Sequence, residues 1–306
     1  MDVDTTVSAI VSMEIRGAGK IARAGASALS YFAENYSGTD LAPFMKELND
    51  AKDKILGSRP TAVSLWNGVH STLKDVDTCT SVEETKELII SNAERFNKES
   101  LGAVKLIGEM GAKRIQDGDV ILTHCNSSAT LSVIKTAHAQ GKKFRVYATE
   151  SRPWRQGILT VNELAKEGID ITLVIDSAVR SVMKHVTKVF VGADTITSHG
   201  SLINKIGTSQ LALAANEARV QFYVCSETYK FSPMTLYGDM VTIEERDQDE
   251  VVMGADIDSR VKIFNPVFDS TPGKYIDAII TEVGLISPGS VYNIMVSKLG
   301  NVILQN

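Results

Sequence analysis

Apolar side chains recur at steps of three and four residues through residues 1–115, which is the spacing of one face of an α-helix. The pattern is clearest in four segments: SAIVSMEI, IARAGASALSYFAENY, LAPFMKELNDAKDKIL and ETKELIISNAERFNKESLGAVKLIGEM. Gly57 and Pro60 interrupt it, and Asp77-Thr78 precedes another helix start. We therefore predict an N-terminal helical domain over residues 1–115.

The pattern changes at QDGDV, residues 116–120, where short apolar runs begin to alternate with helical segments. The runs of strand length are VILTHC, FRVYATE, ITLVID, KVFVGAD and VQFYVCSE. The segments of helical period between them are SATLSVIKTAHAQGK, LTVNELAKEG, AVRSVMKHV and GTSQLALAANEA. This alternation predicts an α/β fold, in which a Rossmann-like, doubly wound parallel sheet occupies residues 116–306 and carries a catalytic rim.

Composition narrows the class of partner and the compartment. The net charge is −5, and nucleic acid is disfavoured as the main partner because phosphate binding requires clustered Lys and Arg. The N-terminus is acidic rather than basic, and no apolar run approaches the ~20 residues of a membrane helix. We expect a cytoplasmic protein that binds no membrane. Three widely spaced cysteines argue against disulfides and a zinc site.

Chemically active side chains follow the predicted strands. An open sheet of this class binds ligands beyond the carboxyl ends of its strands. The residues at those ends are Cys125 after the first run, Glu150, Ser151 and Arg152 after the second, Asp176 after the third, Asp194 after the fourth, and Glu227 to Lys230 after the fifth. The predicted rim therefore gathers a thiol, carboxylates, an arginine and a lysine.

Cys125 has two interpretations. A free cysteine is often only a buried packing residue. Cys125, however, lies where a strand ends and a helix begins, and the positive end of a helix favours thiolate. Asn126, Ser127 and Ser128 are good N-cap residues, and the N–H groups of a helix start also bind anions.

Two further residues, and one motif, are open to alternatives. Asp194 is the last residue of VFVGAD. It is either a turn residue or a general acid whose pKa is raised. Lys205 in NKIGTSQ is a surface lysine unless the fold turns it toward the rim. RGAGK, residues 16–20, lacks the spacing of a P-loop and a preceding strand, so it joins two helices and offers backbone donors and a guanidinium to phosphate, or is only a tight junction.

Seven segments together resemble one superfamily over nearly the whole chain. In order they are RGAG, SRPTAV, ILTHCNSS, TESRPWRQG, VFVGADTI, GSLINKIGTSQLAL and SETYKFSP. The superfamily contains methylthioribose-1-phosphate isomerases, ribose-1,5-bisphosphate isomerases and the regulatory subunits of eukaryotic initiation factor 2B. NKIGTSQLALAANEARV and IDAIITEVG are most similar to the archaeal ribose-1,5-bisphosphate isomerases.

The resemblance implies an aldose–ketose isomerase without metal or other cofactor, which converts ribose 1,5-bisphosphate to ribulose 1,5-bisphosphate. It implies Cys125 and Asp194 as the catalytic base and acid, acting through a phosphoenolate. The residues that it assigns to substrate binding are Arg16, Gly17, Ala18, Gly19, Arg59, Ser127, Ser128, Asn204, Lys205 and Lys230. Two phosphates would account for the basic side chains and for two helix starts around the rim.

The same resemblance implies a homo-oligomer, either a dimer or a hexamer, with AMP as activator in nucleoside monophosphate salvage. The apolar tail SVYNIMVSKLGNVILQN is compatible with burial at such a contact. Two alternatives stay open. A regulatory subunit of the initiation-factor type would typically lack both the cysteine and the aspartate that this chain has. A methylthioribose-1-phosphate isomerase would need an apolar slot in place of cations for the sugar 5-position.

Overall fold

The computed structural model describes residues 1–238 and 240–303. It divides into two compact units, Met1–Ala103 and Val104–Ile303 within that range, and each is described here by itself. The domain boundary expected at residues 115/116 stays a prediction. In the part of the chain that is described, no helix combines the length and the apolar character needed to cross a membrane.

The first unit is helical, as its periodicity predicts. Its helices are α1 (Val3–Val11), α2 (Ala18–Asn35), α3 (Leu41–Gly57), α4 (Val63–Thr72) and the first part of α5 (Val82–Ala112). α1 ends four residues before the end of the predicted segment SAIVSMEI, because Met13 adopts a positive φ of 65°, which a helix cannot contain. Phe44, Ile55 and Leu65 are fully buried in the core between these helices.

Two glycines bring α2 and α4 close together with their N-termini at the same end. A Cβ at Gly25 would meet Leu65 Cδ1 at 2.6 Å, and one at Gly68 would meet the Ala22 carbonyl oxygen at 3.0 Å. At the start of both helices, Ser64 Oγ donates to the Ala18 carbonyl oxygen at 2.9 Å. The loop before α2 and the loop before α4 therefore lie side by side.

The described residues of the second unit form ten strands in two sheets. The strands are β1 (Val120–Thr123), β2 (Arg145–Thr149), β3 (Asp170–Val174), β4 (Lys188–Val191), β5 (Thr195–Ile196), β6 (Leu202–Lys205), β7 (Gln221–Cys225), β8 (Phe268–Thr271), β9 (Ala278–Thr281) and β10 (Gly284–Ile286). The helices are α6 (Ser128–Ala139), α7 (Gln156–Lys166), α8 (Val179–Met183), α9 (Thr208–Ala218), α10 (Asp249–Val252) and α11 (Val291–Ile303).

The larger sheet has the strand order β10-β9-β7-β4-β1-β2-β3, and only β10 runs antiparallel to its neighbour. The five predicted strands are all present in it, and β9 and β10 extend it. The order reverses between β1 and β4, so the carboxyl ends of these two strands flank the crevice where sheets of this kind bind ligands. Cys125 follows β1 and Asp194 follows β4.

The smaller sheet was not predicted. Its order is β5-β6-β8, and both pairs are antiparallel. β6 contains Asn204 and Lys205, which the sequence analysis treated only as the approach to α9. The strand pairs these two residues with Asp269 and Phe268 of β8. Both side chains are buried, so the interpretation of Lys205 as a solvated surface residue is wrong.

Candidate active site

The turn after β1 holds Cys125 in an uncommon backbone conformation. Its φ is +66°, in the left-handed region, and the chain returns to extended geometry before α6 begins. The Cys125 N–H donates to Ser151 Oγ at 2.7 Å, and its carbonyl oxygen accepts from Thr160 Oγ1 at 2.8 Å. Ser151, two residues after the end of β2, also has a positive φ of 61°. Both backbone polar groups of Cys125 are thus bound by side chains from neighbouring elements.

The start of α6 lies against the end of β4. Ser127 is the N-cap residue, as predicted, and its side chain accepts from Thr130 N; Ser128 is the first residue of the helix and is exposed. A Cβ on Gly192 would meet Ser127 Oγ at 2.3 Å, so glycine is needed there for the two segments to approach. Asp194 comes two residues later, and its N–H donates to the Ile203 carbonyl oxygen at 3.1 Å.

Burial raises the pKa of the Cys125 thiol to about 11, which is the opposite of the lowering expected at a helix start. The positive charge of Lys205 and the Asn126 N–H act in the other direction, but they do not outweigh desolvation. The negative charges of Asp194 and Asp176 add to the increase. At pH 7 roughly one thiol in 10⁴ is therefore ionised in the ligand-free protein.

Asn204 and Lys205 are the last two residues of β6, directly before the short turn that leads to α9. The Lys205 ammonium lies 5.4 Å from the centre of the Phe268 ring. Asn204 Nδ2 donates to Thr208 Oγ1 at 3.0 Å, and that hydroxyl donates to the Lys205 carbonyl oxygen at 2.6 Å. The charge of Lys205 lowers the pKa of the Cys125 thiol, so Lys205 and Cys125 lie in one electrostatic environment.

Lys230 lies in a 3-10 turn after β7 and is buried. Its ammonium forms an ion pair with Glu227 at 2.7 Å, and Glu227 Oε1 also accepts from Tyr229 Oη at 3.1 Å. Glu227, and the charge of Asp194, raise the pKa of Lys230 despite its burial, which keeps the ammonium charged. Lys230 therefore belongs to the surroundings of Asp194, and its charge is largely balanced by Glu227.

The start of α9 already has an anion, and it is part of the protein. Asp269 accepts from the N–H of Gly207 at 2.8 Å and from the N–H of Ser209 at 3.1 Å. Burial nevertheless raises the pKa of this carboxyl to about 6. The sequence analysis expected phosphate at two helix starts around the rim. At the α9 start a carboxylate of the protein itself occupies the anion position.

The helical unit contains the remaining predicted residues. Arg16 and Gly17 are exposed in the loop between α1 and α2, and Ala18 and Gly19 open α2. Gly17, with a φ of +91°, is the N-cap residue, and no side chain caps this helix of 18 residues. Arg59 lies in the loop before α4, which the bond from Ser64 to Ala18 places beside the first loop. The structure thus brings these five residues together at one end of the unit.

The structure also identifies neighbours that sequence patterns did not single out. His124 is buried next to Cys125 and contacts Thr149 and the Ile206 carbonyl oxygen. Asp176, which was placed at the rim, accepts from the backbone N–H groups of Ser151 and Arg152 at 2.8 and 2.7 Å. Among the described residues, no group of three or more His, Cys, Asp and Glu could hold a metal ion.

The fold and this site define a class of protein: an α/β protein with a helical N-terminal unit and a Rossmann-like sheet, whose switch point carries a thiol and a carboxyl group. Comparison with models of protein families then identifies the particular family. Residues 14–288 match the model of the initiation factor 2 subunit family, and the chain belongs to that family.

Individual relatives cover nearly the whole chain. It is 50% identical over 298 residues to the ribose 1,5-bisphosphate isomerase of Methanocaldococcus jannaschii, spanning 97% of this chain and 96% of that protein. It is 52% identical over 291 residues to the protein of the same name from Archaeoglobus fulgidus, spanning 95% and 91%. The solved structure of translation initiation factor eIF-2B from Pyrococcus horikoshii matches with a TM-score of 0.81 at 33% identity, over 94% of this chain and 97% of that one.

Proposed function

We propose that this protein is an aldose–ketose isomerase that converts ribose 1,5-bisphosphate to ribulose 1,5-bisphosphate. Relatives of that name are about half identical to it over almost their entire length. The observation that carries the proposal is the placement of Cys125 and Asp194 after the two strands that flank the switch point, with Lys205 close enough to act on the thiol.

The chemistry requires one acid and one base. The aldose is locked as a ring because its anomeric oxygen carries phosphate. Cys125 as thiolate removes the C2 proton, the electron pair of that bond forms the C1–C2 double bond, and the bond from C1 to the ring oxygen breaks. Asp194 in its acid form gives its proton to the ring oxygen. Each of these roles contributes roughly 10²–10⁴-fold.

The product of this step is the phosphoenolate intermediate in its protonated form, an enol whose hydroxyl group is on C2. Cys125 returns its proton to C1, Asp194 takes the proton of the C2 hydroxyl, and the C2 carbonyl forms. Both side chains then have the protonation states with which they began, so the cycle consumes no further reactant. No step needs a metal or a redox cofactor.

The raised pKa of Cys125 determines how large a fraction of the Cys125–Asp194 pair is in the reactive form. Thiol with carboxylate and thiolate with carboxylic acid hold the same number of protons, so their ratio is independent of pH while the pair holds one proton. Because the thiol pKa is about 11, the reactive thiolate form is the minor one. Its low population is part of the barrier, and Lys205 reduces that part.

The two phosphates account for the binding residues. We assign Ser127 and Ser128 at the α6 start, together with Asn204, Lys205 and Lys230, to substrate binding in the sheet unit. Arg16, Gly17, Ala18, Gly19 and Arg59 supply two guanidinium groups and an uncapped helix start in the helical unit. The start of α9 is not assigned to phosphate, because Asp269 fills it.

The test is direct. Purified protein is incubated with ribose 1,5-bisphosphate, and ketose formation is followed by NMR. Cys125→Ser and Asp194→Asn should each lower kcat by on the order of 10² or more with much less effect on KM. Cys79→Ser, in the helical unit, is the matched control and should retain full activity. Near-normal turnover by either catalytic variant would refute the assigned roles.

Two other functions are distinguished by the same assay. The structural similarity to translation initiation factor eIF-2B favours a regulatory protein as the second candidate. A regulatory protein would make no ketose from ribose 1,5-bisphosphate or from 5-methylthioribose 1-phosphate. A methylthioribose-1-phosphate isomerase would turn over 5-methylthioribose 1-phosphate and discriminate against the bisphosphate.

We further propose that the protein is a cytoplasmic homo-oligomer, a dimer or a hexamer, that AMP activates it, and that it serves nucleoside monophosphate salvage. These assignments rest on family resemblance alone. AMP should raise the rate at subsaturating ribose 1,5-bisphosphate, and equal rates with and without AMP would refute activation.

A further inference from the structure

His124 lies immediately before Cys125 and is almost completely buried, with 1% of its surface exposed. Its two ring nitrogens contact different parts of the unit. Nδ1 lies 2.5 Å from Thr149 Oγ1 at the end of β2, and Nε2 lies 2.8 Å from the Ile206 carbonyl oxygen before α9. The ring thus spans the space between two turns of the candidate site.

These contacts determine the tautomer. A carbonyl oxygen only accepts hydrogen bonds, so Nε2 must carry the proton that it shares with Ile206. Nδ1 then has a lone pair, and the Thr149 hydroxyl donates to it. Desolvation lowers the pKa of His124, which agrees with a neutral ring.

One end of the ring supports the Cys125 turn. Ser151 Oγ lies 3.3 Å from His124 Nδ1 and accepts from the Cys125 N–H at 2.7 Å. Ser151 and Thr149 therefore form a small hydroxyl cluster between the imidazole and the left-handed backbone of Cys125.

The other end supports the Lys205 turn. Ile206 follows Lys205 directly, and Gly207 packs on the ring so closely that a Cβ there would meet His124 Cε1 at 3.1 Å. Gly207 has a φ of +100°, and its N–H donates to Asp269. The imidazole consequently restrains the chain on the carboxyl side of Lys205.

We propose that His124 is a positioning residue, which holds the Cys125 turn and the Lys205 turn in register through a neutral ring protonated at Nε2. By this contact it keeps the Lys205 ammonium where its charge favours the thiolate. The consequence for turnover rests on the isomerase function proposed above, whereas the consequence for thiol ionisation does not.

Two substitutions separate the two ends of the ring. In His124→Gln the terminal amide can still donate to Ile206, whereas in His124→Asn the shorter side chain can accept from Thr149 but does not reach Ile206. The readout is the rate of Cys125 alkylation by iodoacetamide between pH 7 and 9, measured by peptide mass spectrometry, since that rate follows the thiolate fraction. We expect His124→Asn to slow alkylation about fivefold or more, and His124→Gln, which keeps the contact to the Lys205 turn, to slow it clearly less.

The coupling to Lys205 is tested by repeating both substitutions in Lys205→Met. If His124 acts through Lys205, the difference between Asn and Gln disappears in that background. Equal rates for the two His124 variants, or a difference that persists undiminished in Lys205→Met, would overturn the proposal. Because alkylation needs no sugar, these results are independent of whether the wild type makes ketose.

A further variant covers the case in which the buried His124 substitutions do not fold. Thr149→Val keeps the β-branched shape but removes the donor to Nδ1, so the ring is held at the Ile206 end only. Its matched control is Thr123→Val, at the end of the adjacent strand β1. Slower alkylation in Thr149→Val, but not in Thr123→Val, supports the proposal, and equal rates in both overturn it.

Discussion

Cys125 and Ser151 are two neighbouring residues in the left-handed region without being glycine. Each costs on the order of 1–2 kcal/mol relative to a relaxed backbone. The hydrogen bond from the Cys125 N–H to Ser151 Oγ joins them, and Asp176 binds the N–H of Ser151. The fold therefore accepts strain at the point where the thiol leaves the strand, which is common at functional positions.

The pH dependence of turnover tests how the proposed acid and base share a proton. In the wild type, kcat/KM should be flat over the pH range in which the acid and the base together hold one proton, because the reactive form is a tautomer of the dominant one. In Asp194→Asn only the thiolate is required. Loss of the Asp194 charge lowers the thiol pKa from its wild-type value of about 11, and below that pKa the residual rate should rise about tenfold per pH unit.

The same pH profile distinguishes the opposite assignment of the acid and the base. If the thiol were the acid and Asp194 the base, the residual rate of Asp194→Asn would not rise between pH 7 and 10. Substrate phosphates do not contribute to the slope, since their second pKa lies near 6.

Lys205→Met tests whether the buried lysine binds substrate. The ammonium is expected to contact a phosphate in the ground state and in the transition state, so its removal should raise KM by about 10–100-fold. Lys143→Met is the matched control, because Lys143 is exposed at the opposite edge of the sheet, beside the start of β2. Unchanged KM in Lys205→Met would exclude a phosphate contact.

At the scale of elements, the sequence predicted those parts of the fold that are periodic and long. The five predicted parallel strands are short apolar runs, of which the edge strand β3 is largely exposed, and Cys125 and Asp194 follow two of them as predicted. The smaller sheet was missed because β5 has only two residues, and because β6 (LINK) and β8 (FDST) contain polar residues where β1 and β4, of the same length, are apolar runs.

The contacts of the site escaped prediction for a different reason. His124 binds Ile206, which is 82 residues away, and Asp269 binds Gly207 from 62 residues away. Nothing local in THC or VFDS indicates such a partner. The raised thiol pKa was likewise missed, because burial, and not the adjacent helix start, dominates it.

Asp269 makes the α9 start sensitive to pH. Its pKa of about 6, against 3.8 for an ordinary aspartate, means that the folded state binds the proton more tightly than the unfolded state. Its contribution to stability is complete below pH 3.8 and is lost as pH rises through 6. Relative to Asp269→Asn, the free energy of unfolding of the wild type should therefore fall by about 2 kcal/mol from pH 4 to pH 7.

Urea unfolding at fixed pH measures this difference. Asp170→Asn, at an exposed position at the start of β3, provides the reference for a carboxyl outside the site. A difference between wild type and Asp269→Asn that stays constant over this range would contradict the prediction.

At the scale of the whole molecule, apolar side chains remain exposed along the end of the sheet unit. α11 buries Val291 and Met295 but leaves Tyr292 and Val296 about half exposed, and Leu285 of β10 is exposed as well. The last part of the tail expected at an oligomer contact, residues 304–306, lies outside the described residues. The exposed portion fits the expectation of a contact with a second copy.

Light scattering at micromolar concentration should therefore give at least a dimer. Tyr292→Glu with Val296→Glu should shift the equilibrium toward monomer, because at a self-complementary contact the added carboxylates of one copy face those of the other and repel them. Leu101→Lys, an exposed leucine of the helical unit, is the control. A monomeric wild type would refute the proposed assembly.

The burial of the Cys125 thiol also affects how long the protein survives in an oxidising cell. Peroxides attack the thiolate, and a group with a pKa of about 11 is almost entirely in the slow-reacting form between turnovers. Cys225, whose pKa burial raises to about 12, is equally unreactive in the core. In the proposed mechanism the thiol ionises only transiently, so we expect Cys125 to pass through many cycles without conversion to sulfenic acid.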